Sequence, residues 1–438
     1  MLIEFKVENF KSIKDEQKLS FVSTGIKEIP GAIKEYQKDN IKILKSATMY
    51  GANASGKSNI IESIQFFQHF ITTSFKESEG NDKINVLPFI FSEEHRTKPS
   101  NFEISFFLTD TEIVTYGFSA NEEKILKEYL YINDKEYFFR NGTEYQFIKN
   151  MEPQWLIRKE LLNNNSLFLS LLASTNDELG IRIFNWIKNN IIAFSALRNL
   201  NDYKTKAFLK ENISLKKQII RLTKIADLDI KNIDTIENND LNDLSDLDIL
   251  PKEILKKVLE DNKTLLTTTH DLKNNQGENI GEVTIEGGID NFESAGTIQY
   301  LALLGHIIDS INNGKTLIID ELGAQFHPIM SRAIINLFND SKNQKGQLFF
   351  TTHDVTNLTN DLFRRDQIWF AEKDKFSSTQ ITSLVEYKFN NAKIRNDENY
   401  SKNYMQGKYG AIPFINFSYS ELFGEDSSLE IGGDLNNE

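Results

Sequence analysis

Eight consecutive residues, Gly51-Ala52-Asn53-Ala54-Ser55-Gly56-Lys57-Ser58, constrain the fold of this chain more than any other feature. They follow an apolar, β-prone run over 41–50. They precede Ile60, Ile61, Ile64, Phe67 and Phe70, which recur at helical spacing. Strand, glycine-rich turn and helix form the context in which GxxxxGK[ST] binds phosphate. Glycine lets the backbone approach where a side chain would clash. Backbone N–H groups and the helix N-terminus then face an anion. Gly51, Asn53, Ser55, Gly56, Lys57, Ser58 and Asn59 are the expected nucleotide contacts. Lys57 is placed to neutralise β- and γ-phosphate oxygens, and Ser58 to bind Mg²⁺. ATP and Mg²⁺ are the expected cofactors.

A second motif fits the first. Leu317-Ile318-Ile319-Asp320-Glu321 reads as an apolar strand ending in two carboxylates. Alone it would be a strand ending at a solvated turn. Beside a phosphate loop, Asp320 is expected to hold Mg²⁺ and Glu321 to act as general base on the attacking water. Ser294-Ala295-Gly296-Thr297 opens an apolar helix that Gly314 would end. Ser294, Gly296 and Thr297 offer a hydroxyl and bare N–H groups, a second anion-binding terminus, although a serine there is also an ordinary N-cap. Leu348 to His353 reads as a strand ending in a histidine placed to contact the γ-phosphate, although taken alone it would read as a capping or core histidine. The stretch Glu321 to Pro328 is where contacts to a neighbouring subunit are expected.

This order of motifs resembles the ATP-binding-cassette head domains, the group that includes chromosome-maintenance and recombination-repair ATPases. The opening Leu2 to Ile13 is similar to the first strand and turn of such heads. Nearly the full length resembles the bacterial abortive-infection, RloA-like AAA-family ATPases, through Pro88-Phe89, Ser166 to Ser170, Arg364 to Phe370 and Gly407 to Phe414. Two positions depart from the cassette signature. Glu293 precedes Ser294 where leucine is usual, and Thr297 follows Gly296 where a second glycine is usual. Gly323 stands where the abortive-infection group tends to carry an acidic residue, and no Q-loop glutamine is placed.

The resemblance implies an α/β fold: a P-loop NTPase core of ABC-ATPase head type with an antiparallel β subdomain, plus a mainly helical insertion. It implies a homodimer in which one subunit's Ser294, Gly296 and Thr297 complete the other's site, so that Glu321 and His353 act only on closure. It further implies a sensor or scaffold ATPase of a phage-defence system whose separate effector is a nuclease or toxin. The alternative is a DNA-repair or chromosome ATPase that clamps nucleic acid. A transporter motor is the third reading.

Composition narrows the partners. The chain has 438 residues and no cysteine, so disulfides and thiol catalysis are excluded. Its six histidines show no paired metal spacing. A net charge of −13 disfavours a bulk grip on nucleic acid. The basic run Lys204, Lys206, Lys210, Lys216, Lys217, Arg221 and Lys224 reads as a solvated helix face. No apolar run is long enough to span a membrane, and a cytoplasmic location is expected.

Four regions follow. Residues 1–152 form the first half of the head, with short β runs from Phe102 to Ile148 and a hairpin turn at Asn141-Gly142. The aromatics Phe106, Tyr116, Phe118, Tyr129 and Tyr131 are expected in its core. Residues 153–265 form the helical insertion, with helices over Leu167 to Leu172, Ile181 to Ile192 and Ile213 to Ile225, and an exposed Asp/Asn-rich stretch over Ala226 to Asp248. Residues 266–375 form the second half, beginning with a hairpin over Leu265 to Ile285. Residues 376–438 add a strand, Ile381 to Tyr387, and a disordered end from Gly424. No nuclease domain of its own is expected.

Overall fold

In the computed structural model, which describes residues 1–75, 82–195, 202–226, 228–237, 263–286, 289–324, 326–389 and 392–412, period-two alternation builds the first sheet. The chain opens with β1 (Leu2–Glu8), β2 (Gln17–Ser20), a short hairpin of β3 (Ile33–Glu35) and β4 (Lys42–Leu44), β5 (Ser46–Gly51) and helix α1 (Lys57–Thr73). Next come β6 (Ser100–Phe107), β7 (Ile113–Ala120), β8 (Ile125–Ile132), β9 (Lys135–Asn141) and β10 (Glu144–Phe147). Seven of these pair in the antiparallel order β10-β9-β8-β7-β6-β1-β2. Along β6, alternate residues from Ser100 to Phe106 are buried, as one-sided packing requires.

Phe106, Tyr116 and Phe118 lie in the core as expected. Tyr129 and Tyr131 do not. They are half-buried, and their hydroxyls donate to Glu103 (2.6 Å) and Glu136 (2.8 Å). The hairpin turn is also shifted by one residue. Asn141 pairs with Glu144, so Gly142-Thr143 forms the loop. Of those two only Gly142 has positive φ (60°), which suits a glycine-first turn rather than an Asn-Gly one.

The remainder contains α2 (Glu152–Lys159), α3 (Phe168–Ser174), α4 (Glu178–Asn190), β11 (Ile191–Phe194), α5 (Tyr203–Glu211), α6 (Ile213–Ile225), β12 (Asn232–Glu237), β13 (Thr264–Lys273) and β14 (Asn279–Glu286). Then come α7 (Ala295–Asn313), β15 (Thr316–Ile319), α8 (Pro328–Asn339), β16 (Gln347–Thr351), β17 (Ile368–Lys373), β18 (Thr379–Ser383) and α9 (Tyr400–Met405). The second sheet has the order β11-β15-β16-β5-β17-β18. Its first five strands are mutually parallel, and β18 closes one edge antiparallel. Strands β5, β15 and β16 are buried at every position, the signature of a parallel sheet covered on both faces. Helix α1 lies between the sheets. Phe67 stacks on Phe118 (5.5 Å) and meets Phe5 edge-on (5.7 Å), while Ile60, Ile61 and Ile64 are buried.

Three expectations in the second half are corrected. The helical run over Ile181 to Ile192 stops at Asn190, and Ile191 and Ile192 begin β11. Two β-branched residues after Asn189-Asn190 favour extended backbone, and β15 supplies the partner strand. Within Ala226 to Asp248, residues 232–237 form β12 against β13 with Ile233 buried, so that part is not an exposed stretch. Residues 238–248 lie outside the described residues. The strand expected over Ile381 to Tyr387 is β18, which ends at Ser383. The end from Gly424 lies outside the described residues. In the basic run, Lys204, Lys206 and Lys216 pair with Asp309, Asp202 and Asp234 of the same chain. Among the described residues no helix is long and apolar enough to cross a membrane.

The segments that carry the family resemblance build the scaffold. Arg364 is fully buried, and its guanidinium forks onto Asp366 at 2.9 and 2.8 Å. Gln367 donates to the Ser46 carbonyl (2.9 Å) and fixes the start of β5. Glu128 on β8, also fully buried, accepts from the N–H groups of Phe168 (2.7 Å) and Leu169 (2.9 Å) and from the Tyr116 hydroxyl (2.9 Å). Arg140 lies 3.5 Å away and donates to the Ser166 carbonyl at 2.7 Å. One carboxylate therefore docks the Ser166–Ser170 segment onto the antiparallel sheet. Glu128→Ala leaves buried donors and a buried guanidinium unpaired. Urea unfolding is expected to show a loss of about 3–5 kcal/mol, whereas the exposed Glu123→Ala changes little.

Candidate functional site

The phosphate loop is held from both sides. It leaves the end of β5, where a Cβ at Gly51 would sit 2.4 Å from the Ala371 carbonyl of β17. It enters α1 through Gly56, whose φ is +100° and whose Cβ would meet Thr379 Oγ1 at 1.9 Å. Both positions therefore require glycine. No side chain caps the start of α1, so the helix N-terminus keeps its partial positive charge for a ligand. Lys57 is 5% exposed, and its ammonium donates to the carbonyls of Gly51 (2.9 Å) and Ala52 (3.0 Å). Withdrawal from water pulls its pKa down, and the carboxylates of Asp320 and Glu321 oppose that shift. Ser58 and Asn53 are exposed on the same loop and first turn.

Asp320 and Glu321 follow β15, two strands from β5. Asp320 is 5% exposed, and its Oδ1 accepts from Thr351 Oγ1 at 2.5 Å. The Glu321 N–H donates to that same hydroxyl at 2.8 Å. Glu321 sits at φ +59°, a left-handed conformation that costs a non-glycine residue energy. This turn keeps its carboxylate exposed. His353 follows β16, the strand between β15 and β5. Partial withdrawal from water lowers its pKa and the Lys57 ammonium lowers it further, while Glu321 and Asp320 pull the other way. The neutral imidazole can then accept or donate one hydrogen bond without adding charge.

The expected residues thus divide into two groups. The loop 51–58, Asp320, Glu321 and His353 meet at the carboxyl ends of adjacent parallel strands. Ser294, Gly296 and Thr297 have no described hydrogen bond or ion pair to that group. Ser294 caps α7, accepting from the Thr297 N–H at 3.1 Å. The helix runs from there into β15 through Gly314 at φ +73°. Gly323 is also left-handed (φ +96°), and Gln325 of the following loop lies outside the described residues.

Sequence reasoning missed the braces. Thr351 ties the two carboxylate residues together. Thr379 Oγ1 donates to the Ser55 carbonyl (3.0 Å) and shares a hydrogen bond with Ser12 Oγ (2.7 Å), which also accepts from Asn59 Nδ2. Only Thr351 left a signal, a polar residue closing an otherwise apolar strand. For Mg²⁺ the donor set is an exposed serine hydroxyl and one buried carboxylate. That suits an ion which keeps most of its waters and binds substrate phosphates. No cluster of three or more metal-ligating His, Asp or Glu occurs among the described residues.

Residues 46–360 match the protein family described as AAA domain, putative AbiEii toxin, Type IV TA system. The chain belongs to this family. It carries an AAA domain with a P-loop NTPase core. No curated protein matches it. Among solved structures it is similar to the Smc head bound to the C-winged helix domain of ScpA, at 12% identity and a TM-score of 0.43, covering 87% of this chain and 97% of that one. The SMC head domain from Thermotoga maritima gives 11% identity and a TM-score of 0.39 over 87% and 98% of the two chains. The Smc head with an extended coiled coil bound to the C-terminal domain of ScpA, derived from Pyrococcus furiosus, gives 14% identity and 0.39 over 87% and 96%.

Proposed function

We propose that this AAA-domain chain binds and hydrolyses ATP between two copies of itself. The observation that carries the reading is the convergence of Lys57, Asp320, Glu321 and His353 at the ends of β5, β15 and β16. Lys57 and the loop N–H groups bind and orient the phosphates. Ser58 and Asp320 would hold Mg²⁺, which when bound offsets phosphate charge. Glu321 takes the proton of the attacking water, and the neutral His353 hydrogen-bonds the outermost phosphate. Ser294, Gly296 and Thr297 act on the second copy's nucleotide. Loss of the γ-phosphate then removes the bridge and opens the pair.

The biological role we infer is the sensor or scaffold of an antiviral defence pair, with a separate nuclease or toxin as effector. The family's description as a putative AbiEii toxin of a Type IV TA system supports a defence setting with a second component. Ser294→Arg tests the dimer. The variant is expected to bind ATP as the wild type does, to remain monomeric by light scattering and to lose hydrolysis. Mixing it with Lys57→Ala chains is expected to restore part of the activity, because one composite site in the mixed pair is intact. If Ser294→Arg hydrolyses ATP normally, the composite site is wrong.

A further inference from the structure

Phe292 is the most exposed aromatic side chain among the described residues, at 72%, and a fixed turn displays it. The N–H groups of Phe292 and Glu293 both donate to the Ile289 carbonyl, at 3.0 and 2.7 Å, and Ile289 is buried. The Glu293 carboxylate accepts from Thr268 Oγ1 at 2.8 Å and lies 2.9 Å from His270 Nε2, both on β13. The residue that replaces the usual leucine of the signature thus anchors the turn, leaving the ring in water two positions before Ser294.

A cleft of 580 Å³ lies against the phosphate loop, walled by Ala52, Asn53, Ser55, Gly407, Gly410 and Ile412. Four of these six are glycine, alanine or serine, so a flat ring can enter, and Glu372 and Gln406 also line it. Ser55 is 3% exposed, and its hydroxyl has no hydrogen-bond partner. Lys373 also lines the cleft. Its ammonium donates to the Ser377 carbonyl (3.0 Å) and Thr379 Oγ1 (3.1 Å), and no ion pair is described for it. Glu286, exposed at the end of β14 before the turn that carries Phe292, has a charge that complements this cation, and Glu372, beside that lysine in the lining, accepts from the Ala411 N–H at 3.2 Å.

We propose that Phe292 of one copy inserts into this cleft of a second copy and anchors the closed pair. The inference rests on the composite-site reading, in which Ser294 faces the second copy's phosphate loop. Two residues of chain span at most about 7 Å, so Phe292 then falls beside that loop, whose Ala52, Asn53 and Ser55 wall the cleft. A central buried aromatic is the usual anchor of an interface. Closure therefore depends on the Gly407–Ile412 segment as well as on the nucleotide.

The test uses full-length chains carrying Glu321→Gln, with ATP and Mg²⁺. Phe292→Ala is expected to weaken ATP-dependent dimerisation about tenfold or more, while ATP binding at concentrations where the chain is monomeric stays unchanged. Because the chain lacks cysteine, a Phe292→Cys chain mixed with a Gln406→Cys chain is expected to form a disulfide-linked pair with ATP and not with ADP. If dimers form with ATP at full affinity in Phe292→Ala and no cross-link appears, the inference is overturned and the composite site stands. If Glu321→Gln alone forms no ATP-dependent dimer, both fail.

Discussion

Glutamine in place of Glu321 is expected to slow steady-state ATP hydrolysis by about 10²- to 10⁴-fold and to leave ATP binding intact. The backbone of Glu321 is fixed independently of its carboxylate, by the N–H bond to Thr351 Oγ1 at 2.8 Å and by the left-handed turn at φ +59°. Its side chain makes no described hydrogen bond or ion pair, so exchanging an oxygen for an amide nitrogen removes a proton acceptor and no structural contact. Asp320 keeps its own bond to Thr351, and Ser58 and Asp320, the residues proposed to hold Mg²⁺, are untouched. Phosphate release measures the rate, and a fluorescent ATP analogue measures binding. On the proposed mechanism the same variant is expected to accumulate as an ATP-bound dimer by light scattering, since a γ-phosphate between the copies would persist. Hydrolysis at the wild-type rate would remove Glu321 as the base, and loss of binding would mean that the carboxylate holds the nucleotide instead.

The parts of the site that could be read from sequence are contiguous in it. Gly51 to Ser58 and Asp320-Glu321 each carry their chemistry within a few residues, flanked by a strand or helix whose period is visible. The braces are not contiguous. Thr379 reaches Ser55 and Ser12 only because β17 and β18 return beside β5, and no local pattern around Ser378-Thr379 marks that encounter. Thr351 was half legible, since its strand was read but its two bonds depend on β15 lying alongside. Ile191-Ile192 was misread because a short apolar run after a helix has no period of its own, and only pairing with β15 decides it. The Asp/Asn-rich stretch hid β12 for the opposite reason. Its polar residues outvote Ile233, yet that single buried side chain and a ladder to β13 suffice. The segments behind the family resemblance, Ser166–Ser170 and Arg364–Phe370, do not mark the site, because what they build is the docking of α3 and the start of β5.

Lys57→Ala is expected to lower ATP affinity by about 10²-fold or more, the loss of roughly 3 kcal/mol of charge-assisted hydrogen bonding to phosphate. The apo protein should not suffer comparably. The buried Lys57 ammonium is satisfied only by two backbone carbonyls, and burial holds its pKa below the usual lysine value. A lysine whose folded-state pKa is depressed disfavours folding while it is charged. That penalty is fully present below its folded-state pKa and is relieved as pH rises toward the unfolded value. Alanine removes the penalty together with the two hydrogen bonds, so the melting temperature without nucleotide is expected to stay near that of the wild type or to rise. ATP with Mg²⁺ should then raise the wild-type melting temperature with the logarithm of ATP concentration above its Kd and leave that of Lys57→Ala where it was. A collapse of the apo protein would instead make Lys57 a structural tie between Gly51 and Ala52. An ATP-dependent shift equal to the wild type's would place the nucleotide somewhere other than this loop.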